Sequence, residues 1–274
     1  LWVTEDPRTV APFAALADLL LVVDDTGSMA DEQAALAALF PEIVATLDDA
    51  GLDYHVGVVT TDLADPTDSG RLREVSGDRW VAPDTVDGAT VLSAMATVGT
   101  AGSPLEAGLG AAYLAEAVEG TAYNAGFFRS SGSLGIVVLS DEDDQTAPAV
   151  TTPAAFTAWL DALRDPALTA ASAIAAPGAN ARYSGVVAGT GGFQADIGAP
   201  ATWLALFDDV IADLGASRSA LLPAGLDPAT IEVWWAPAGL EPEPVPAADV
   251  TYDAVTGQLD VGGAHPSGEL VTVY

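Results

Sequence analysis

The chain contains no cysteine and no lysine. Without cysteine there is no disulfide, no zinc–thiolate centre and no thiol nucleophile. Without lysine there is no Schiff base, and a P-loop lacks the side chain that reaches the nucleotide phosphates. The only basic residues are eight arginines, set against 39 acids, for a formal net charge of −31. Contact with a phosphate backbone needs a basic surface, so a nucleic-acid partner is not expected. An anionic membrane surface repels such a chain, whereas divalent cations are drawn to it. Histidine is nearly absent too: His55 falls in a strand pattern and His265 in a Gly–Pro turn. Neither forms a triad with Ser28 or Ser140, and no GxSxG elbow exists. Long hydrophobic runs are also missing. The tract from Val10 to Val23 is interrupted by Pro12 and Asp18, and is too short to span a bilayer, so no direct membrane insertion is expected.

What is present is a chain of 274 residues, half of them hydrophobic. That supports one large domain, or one domain with an appendage. The first residue is Leu1 and not methionine, which reads as a processed chain.

The most informative stretch is Leu19 to Met29, LLLVVDDTGSM. An uncharged apolar run of this length reads as a strand buried on both faces. Beyond it, Asp24, Thr26 and Ser28 place oxygen side chains at alternate positions, and Gly27 permits a tight turn. A carboxylate and two hydroxyls at a strand end are hard ligands suited to Mg²⁺ or Ca²⁺. The competing reading is a helix start with Thr26 or Ser28 as its N-cap.

Residues 1–17 read as an N-terminal arm. Asp31 to Ala50 has the apolar spacing of a helix, with Pro41 expected to kink it and Gly51 to end it. Tyr54 to Thr61 reads as a second strand, 71–81 as a short hairpin or edge strand, and 86–98 as weakly helical. Pro104 suits the first position of a helix whose buried face holds Leu105, Leu109, Tyr113 and Leu114. Leu134 to Ser140 reads as another strand buried on both faces, followed by Asp141-Glu142-Asp143-Asp144. A helix at 153–164, a strand at 168–176, and helices at 182–188 and 200–214 complete an α/β alternation. That alternation argues for a doubly wound, mostly parallel central sheet flanked by helices over residues 18–216. After residue 217 short strand patterns separated by proline and glycine indicate a small all-β appendage, 217–274. Trp234 and Trp235 point to opposite faces of one of its strands.

In a doubly wound sheet, ligands bind at the carboxyl ends of the strands where the strand order reverses. If the strands ending in Asp24 and Asp141 are neighbours there, their carboxylates meet. The loop GTAGS, Gly99 to Ser103, can bring a hydroxyl to the same edge. With these motifs the chain resembles the von Willebrand factor A (vWA) family, whose metal-ion-dependent adhesion site (MIDAS) combines Asp-x-Ser-x-Ser, a distant Thr and a later Asp. The pieces TGSMADEQ, VGVVTTD, GTAGS, NAGFFR and SDEDD are similar to secreted or lipoprotein vWA proteins of myxobacteria and related bacteria.

The resemblance implies a metal held by Asp24, Thr26, Ser28, Ser103 and Asp141, with Thr100 as the alternative hydroxyl in the third loop. Asp25, Thr100, Glu106 and Glu142 would stand behind these ligands. It implies Mg²⁺ or Ca²⁺, with Mn²⁺ as a further candidate. One coordination position would stay open for a carboxylate from a protein partner, in an extracytoplasmic, non-enzymatic adhesion module. Two other classes compete. One is a structural subunit of an extracellular assembly that self-associates through its C-terminal strands. The other is a haloacid-dehalogenase-like phosphatase with Asp24 as nucleophile. Thr26 replaces that enzyme's second aspartate, and its phosphate-binding lysine cannot exist here. Asp143 and Asp144 are expected to be solvated, and Glu106 to sit at a helix N-terminus, where the dipole stabilises it.

Overall fold

A computed structural model describes residues 9–12, 14–176, 180–216, 219–237, 241–262 and 268–274. The expectation for His265, and most of that for the N-terminal arm, falls outside the described residues. In chain order the strands are β1 (Val10–Pro12), β2 (Leu16–Val23), β3 (Asp53–Thr60), β4 (Ser133–Ser140), β5 (Thr169–Ala175), β6 (Gln194–Asp196), β7 (Ser219–Leu221), β8 (Glu232–Pro237), β9 (Glu243–Pro244), β10 (Val250–Tyr252), β11 (Gln258–Val261) and β12 (Gly268–Val273). The helices are α1 (Ala30–Asp49), α2 (Gly88–Ala96), α3 (Gly108–Ala117), α4 (Pro153–Leu163), α5 (Ala181–Thr190) and α6 (Trp203–Gly215). They form two compact units: residues 17–217, and a second unit assembled from 1–16 and 218–274.

The first unit is an α/β domain around a five-stranded sheet of order β3-β2-β4-β5-β6. The β2–β4, β4–β5 and β5–β6 pairs are all parallel. From β2 the chain moves out to β3 through α1, then returns to place β4 on the other side of β2. The strand order therefore reverses between β2 and β4, the position at which such sheets bind ligands. Every residue of β2 and β4 is buried, as their continuous apolar runs require of strands covered on both faces. Helix α1 runs through Pro41 to Asp49 and buries Leu36, Phe40, Ile43 and Leu47. Phe127, Phe156, Leu160, Tyr183 and the inward residues of β2 and β4 belong to one contiguous core.

At the amino end of β2 the fully buried Asp18 is held by two arginines. Arg129 Nε donates to Oδ1 at 2.8 Å, and Arg164 Nη2 to Oδ2 at 2.9 Å. Arg129 also binds Asp53 at 2.6 Å, so the arginine of the NAGFFR segment ties β2 to β3. His55 is structural, as its strand placement suggested: Nδ1 lies 3.0 Å from the Phe127 carbonyl.

The structure departs from the sequence reading at several places. Segment 71–81 forms no regular hairpin, only the bridges Val56↔Val81 and Val75↔Asp78. Helix α3 starts at Gly108 and not at Pro104, so Leu105 is exposed instead of facing the core. Backbone groups needed for an earlier helix start are committed elsewhere: Ala107 N donates to Thr61 O at 3.1 Å, and Glu106 O accepts from Gln145 N at 2.6 Å. Strands β6, β7 and β9 are two or three residues long, too short to leave a period of their own.

The second unit contains two antiparallel sheets, β1-β12-β8-β9 and β10-β11-β7. The segment read as a lead-in arm supplies β1, whose Val10 pairs with Val273. Leu222, Ile231, Val233, Val245, Leu259 and Val261 form its core, with Trp235, Tyr252 and Leu270 packed against it.

Candidate metal-binding site

Asp24 follows directly on β2, and β4 ends in Ser140. The register Val23↔Leu139 puts Asp24 beside Ser140, and Asp24 N donates to Leu139 O at 3.0 Å. Parallel partners at one level face the same side of a sheet. Accordingly Ser140 Oγ donates to Asp24 Oδ2 at 2.7 Å. The other oxygen, Oδ1, accepts from Thr26 N at 2.8 Å and from Thr26 Oγ1 at 2.6 Å. Asp24 is fully buried, so its charge lies behind a layer of hydroxyls. Thr26 Oγ1 directs its proton to Asp24, which leaves its lone pairs free, and it lies 3.5 Å from the hydroxyl of the exposed Ser28.

The loop 99–103 reaches the same edge. Gly102 N donates to Asp25 O at 2.9 Å, and a Cβ at Gly102 would stand 2.2 Å from the Asp25 carboxylate. Only glycine permits so close an approach. Ser103 N donates to Asp62 Oδ2 at 3.0 Å, and Ser103 Oγ accepts from Leu105 N at 3.1 Å. Thr100, two residues before Gly102, is exposed.

Another loop follows β4. Asp141 is half-buried, and its Oδ1 is a buried oxygen without a hydrogen-bond partner. Gln145 Nε2 bridges Glu106 Oε2 at 2.8 Å and Glu142 Oε2 at 2.9 Å. Burial, with the Asp24 and Glu142 charges nearby, pushes the Glu106 carboxyl up to about 7. Burial and the neighbouring Asp62 push Asp25 up to about 6. Burial is the larger cause of both shifts, and neighbouring carboxylates add to it.

No protein-family model matches the chain, and no curated protein does. Similar solved structures exist. The pilus adhesin SpaC from Lactobacillus rhamnosus GG, in its open conformation, is 12% identical with a TM-score of 0.48, over 95% of this chain and 38% of that one. Proximal thread matrix protein 1 from the mussel byssus, with a zinc-occupied MIDAS motif, is 13% identical with a TM-score of 0.49, over 74% and 47%. The chain spans less than half the length of either.

The structure thus gathers Asp24, Thr26, Ser28 and the Asp25 backbone with the Gly102–Ser103 turn at the switch point. Asp141 follows immediately on the strand paired with β2. Among the described residues no three acidic or histidine side chains form a metal cage. A site of this kind has a different donor set: hydroxyl oxygens backed by one buried carboxylate, with a second carboxylate oxygen left orphaned. These oxygens fit a hard divalent cation.

Two expectations are corrected. Asp144 is not solvated: it is buried, accepts from Leu109 N at 3.0 Å and Thr146 Oγ1 at 2.6 Å, and pairs with Arg182 at 3.3 Å. Asp143 accepts from Arg182 N at 3.0 Å, at the start of α5. Glu106 lies two residues before the first residue of α3, outside its first turn, and burial raises its carboxyl pKa where a helix dipole would lower it. Three residues of the site escaped the sequence reading: Ser140, Asp62 and Gln33. Ser140 was discoverable, since pairing the two strands at their ends aligns it with Asp24.

Proposed function

We propose that the α/β unit is a cation-dependent protein-binding module of the vWA type. Asp24, Thr26, Ser28, Ser103 and Asp141 would hold Mg²⁺ or Ca²⁺, and a carboxylate of a partner protein would complete the shell. The bound cation would supply an electrophilic centre for that carboxylate. The observation that carries the reading is the pair of neighbouring hydroxyls, Thr26 and Ser28, backed by the buried Asp24 at the strand-order reversal. Few protein charges in direct contact would leave the cation short of negative charge, which favours an external carboxylate. The sequence pieces shared with secreted bacterial vWA proteins support an extracytoplasmic setting. Among the described residues no helix is long and apolar enough to cross a membrane.

Thermal unfolding in chelator, Mg²⁺ and Ca²⁺ tests the reading. The cation is expected to raise the melting temperature, and Asp24→Ala to abolish the shift. Identical melting with and without cation would remove the site.

A further inference from the structure

Gln33 lies on α1 and hydrogen-bonds to the main chain of two loops of the site. It is the polar member of a buried helical stripe continued by Leu36, Phe40, Ile43 and Leu47. Only 2% of its surface is exposed, so its amide must find partners inside the protein. It finds three. Nε2 donates to Asp24 O at 2.8 Å and to Gly99 O at 2.7 Å, and Oε1 accepts from Gly99 N at 3.2 Å. Two carbonyl partners fix which end of the amide is nitrogen.

These three backbone groups have no sheet or helix partner of their own. Asp24 has left β2, and Gly99 sits at φ +95°, outside any regular element. One side chain therefore satisfies the main chain of the Asp24–Ser28 loop and of the Gly99–Ser103 loop together. Gly102 N→Asp25 O joins the same loops a few residues on, so the junction has one main-chain and one side-chain clasp. The hydroxyls of Thr26, Ser28 and Ser103 are carried on the clasped segments.

We propose that Gln33 is a positioning residue that sets the distance between the Asp24–Ser28 and Gly99–Ser103 loops, and through it the affinity of the site for a divalent cation. The proposal rests on the cation-binding reading above. Methionine at position 33 keeps the length and burial but has no strong donor or acceptor. Glutamate keeps the shape but has at most one proton to give, so it cannot donate to both carbonyls. Asparagine is one methylene too short to span both.

The test compares wild type, Gln33→Met, Gln33→Glu and Leu47→Ala on the full chain. Leu47 is buried on the same helix, 14 residues away, about 21 Å along its axis. It serves as a control for general destabilisation. Mn²⁺ affinity is measured by calorimetry, and amide hydrogen exchange is followed in the cation-free protein. Both Gln33 variants are expected to bind Mn²⁺ at least tenfold more weakly. They should also speed exchange in 24–28 and 99–103 together, while Leu47→Ala leaves affinity within twofold. Wild-type affinity in Gln33→Met, or an affinity loss in Leu47→Ala that matches its loss of melting temperature, would overturn the proposal. Exchange that rises in only one loop would overturn it as well. If wild type binds no Mn²⁺ but the two loops still loosen together, the clasp stands and the cation reading falls.

Discussion

Ser140 Oγ donates to Asp24 Oδ2 at 2.7 Å, joining the ends of the two central strands through a fully buried carboxylate. Ser140→Ala removes that donor and leaves a buried carboxylate oxygen short of a partner. The expected cost is about 1–3 kcal/mol in chemical denaturation. The same variant should weaken cation binding, because Asp24 is then held on one side only, by Thr26. Wild-type stability in Ser140→Ala would mean that Asp24 draws its support elsewhere.

At the opposite end of β2, Asp18 carries a purely structural load. Asp18→Asn leaves the buried Arg164 without its charge partner and leaves Arg129 paired with Asp53 alone. Breaking one side of such a pair costs about 3–5 kcal/mol. Asp18 lies six residues before Asp24, roughly 20 Å along an extended strand. Urea denaturation should therefore show a large loss in a variant whose cation affinity, measured below its unfolding transition, is unchanged. A parallel loss of affinity would show that the two ends of the strand are coupled.

Cation-free protein should become more stable as the pH falls from about 7.5 towards 5. Asp25 and Glu106 have folded pKa values near 6 and 7, above their ordinary values of 3.8 and 4.5. Within that window the folded chain holds more protons on these groups than the unfolded chain does. Stability then decreases as the pH rises through the folded values. His55 acts in the opposite direction, since burial and Arg129 lower its pKa, and the unfolded imidazole takes up a proton first on acidification. Glu106→Gln should flatten the profile and stabilise the cation-free protein at pH 7.5. A profile that rises with pH in wild type, or is unaltered in Glu106→Gln, would contradict this assignment.

The sheet and the first half of the site were legible because they depend on local pattern. Two uncharged apolar runs, each followed by an aspartate, identify themselves as central, and the pairing of their strands sets Asp24 beside Ser140, the residue before Asp141. What escaped depends on distant partners. The segment Pro104–Leu109 has a helical composition, but Thr61 and Gln145 take the backbone groups of Ala107 and Glu106 and delay the helix. Asp144 looks like one more acid in an acidic run, and its burial follows from Arg182, 38 residues on. Gln33 reads as an ordinary helical residue until Gly99 is folded against it.

Gly102 is the tightest point of the site. A methyl group there would stand 2.2 Å from Asp25 Cγ and Oδ1, a contact that the short, buried aspartate cannot relieve by swinging away. Gly102→Ala should force the 99–103 loop outwards at a cost of about 1–3 kcal/mol, the usual range for overpacking. Because the displaced loop carries Ser103, cation affinity should fall along with stability. Asp25→Ala in the same background should restore much of the stability, because it removes the group that the methyl strikes.

High salt distinguishes a specific cation site from the diffuse attraction of a chain with a formal charge of −31. Any salt should stabilise such a chain by screening its self-repulsion. At 1 M NaCl the screening length is about 3 Å, so a further millimolar addition of Mg²⁺ or Ca²⁺ can no longer act through the general field. A cation bound in the site still adds stability according to its saturation, about 2.7 kcal/mol at a hundred times its Kd. Wild type should therefore retain a divalent-specific rise in melting temperature at 1 M NaCl, while Asp24→Asn and Ser28→Ala lose it and keep the NaCl effect. Asp24→Asn tests the buried charge, and Ser28→Ala tests an exposed hydroxyl whose removal disturbs little packing. If all three proteins respond equally to divalent cation at high salt, the cation acts elsewhere on the acidic surface.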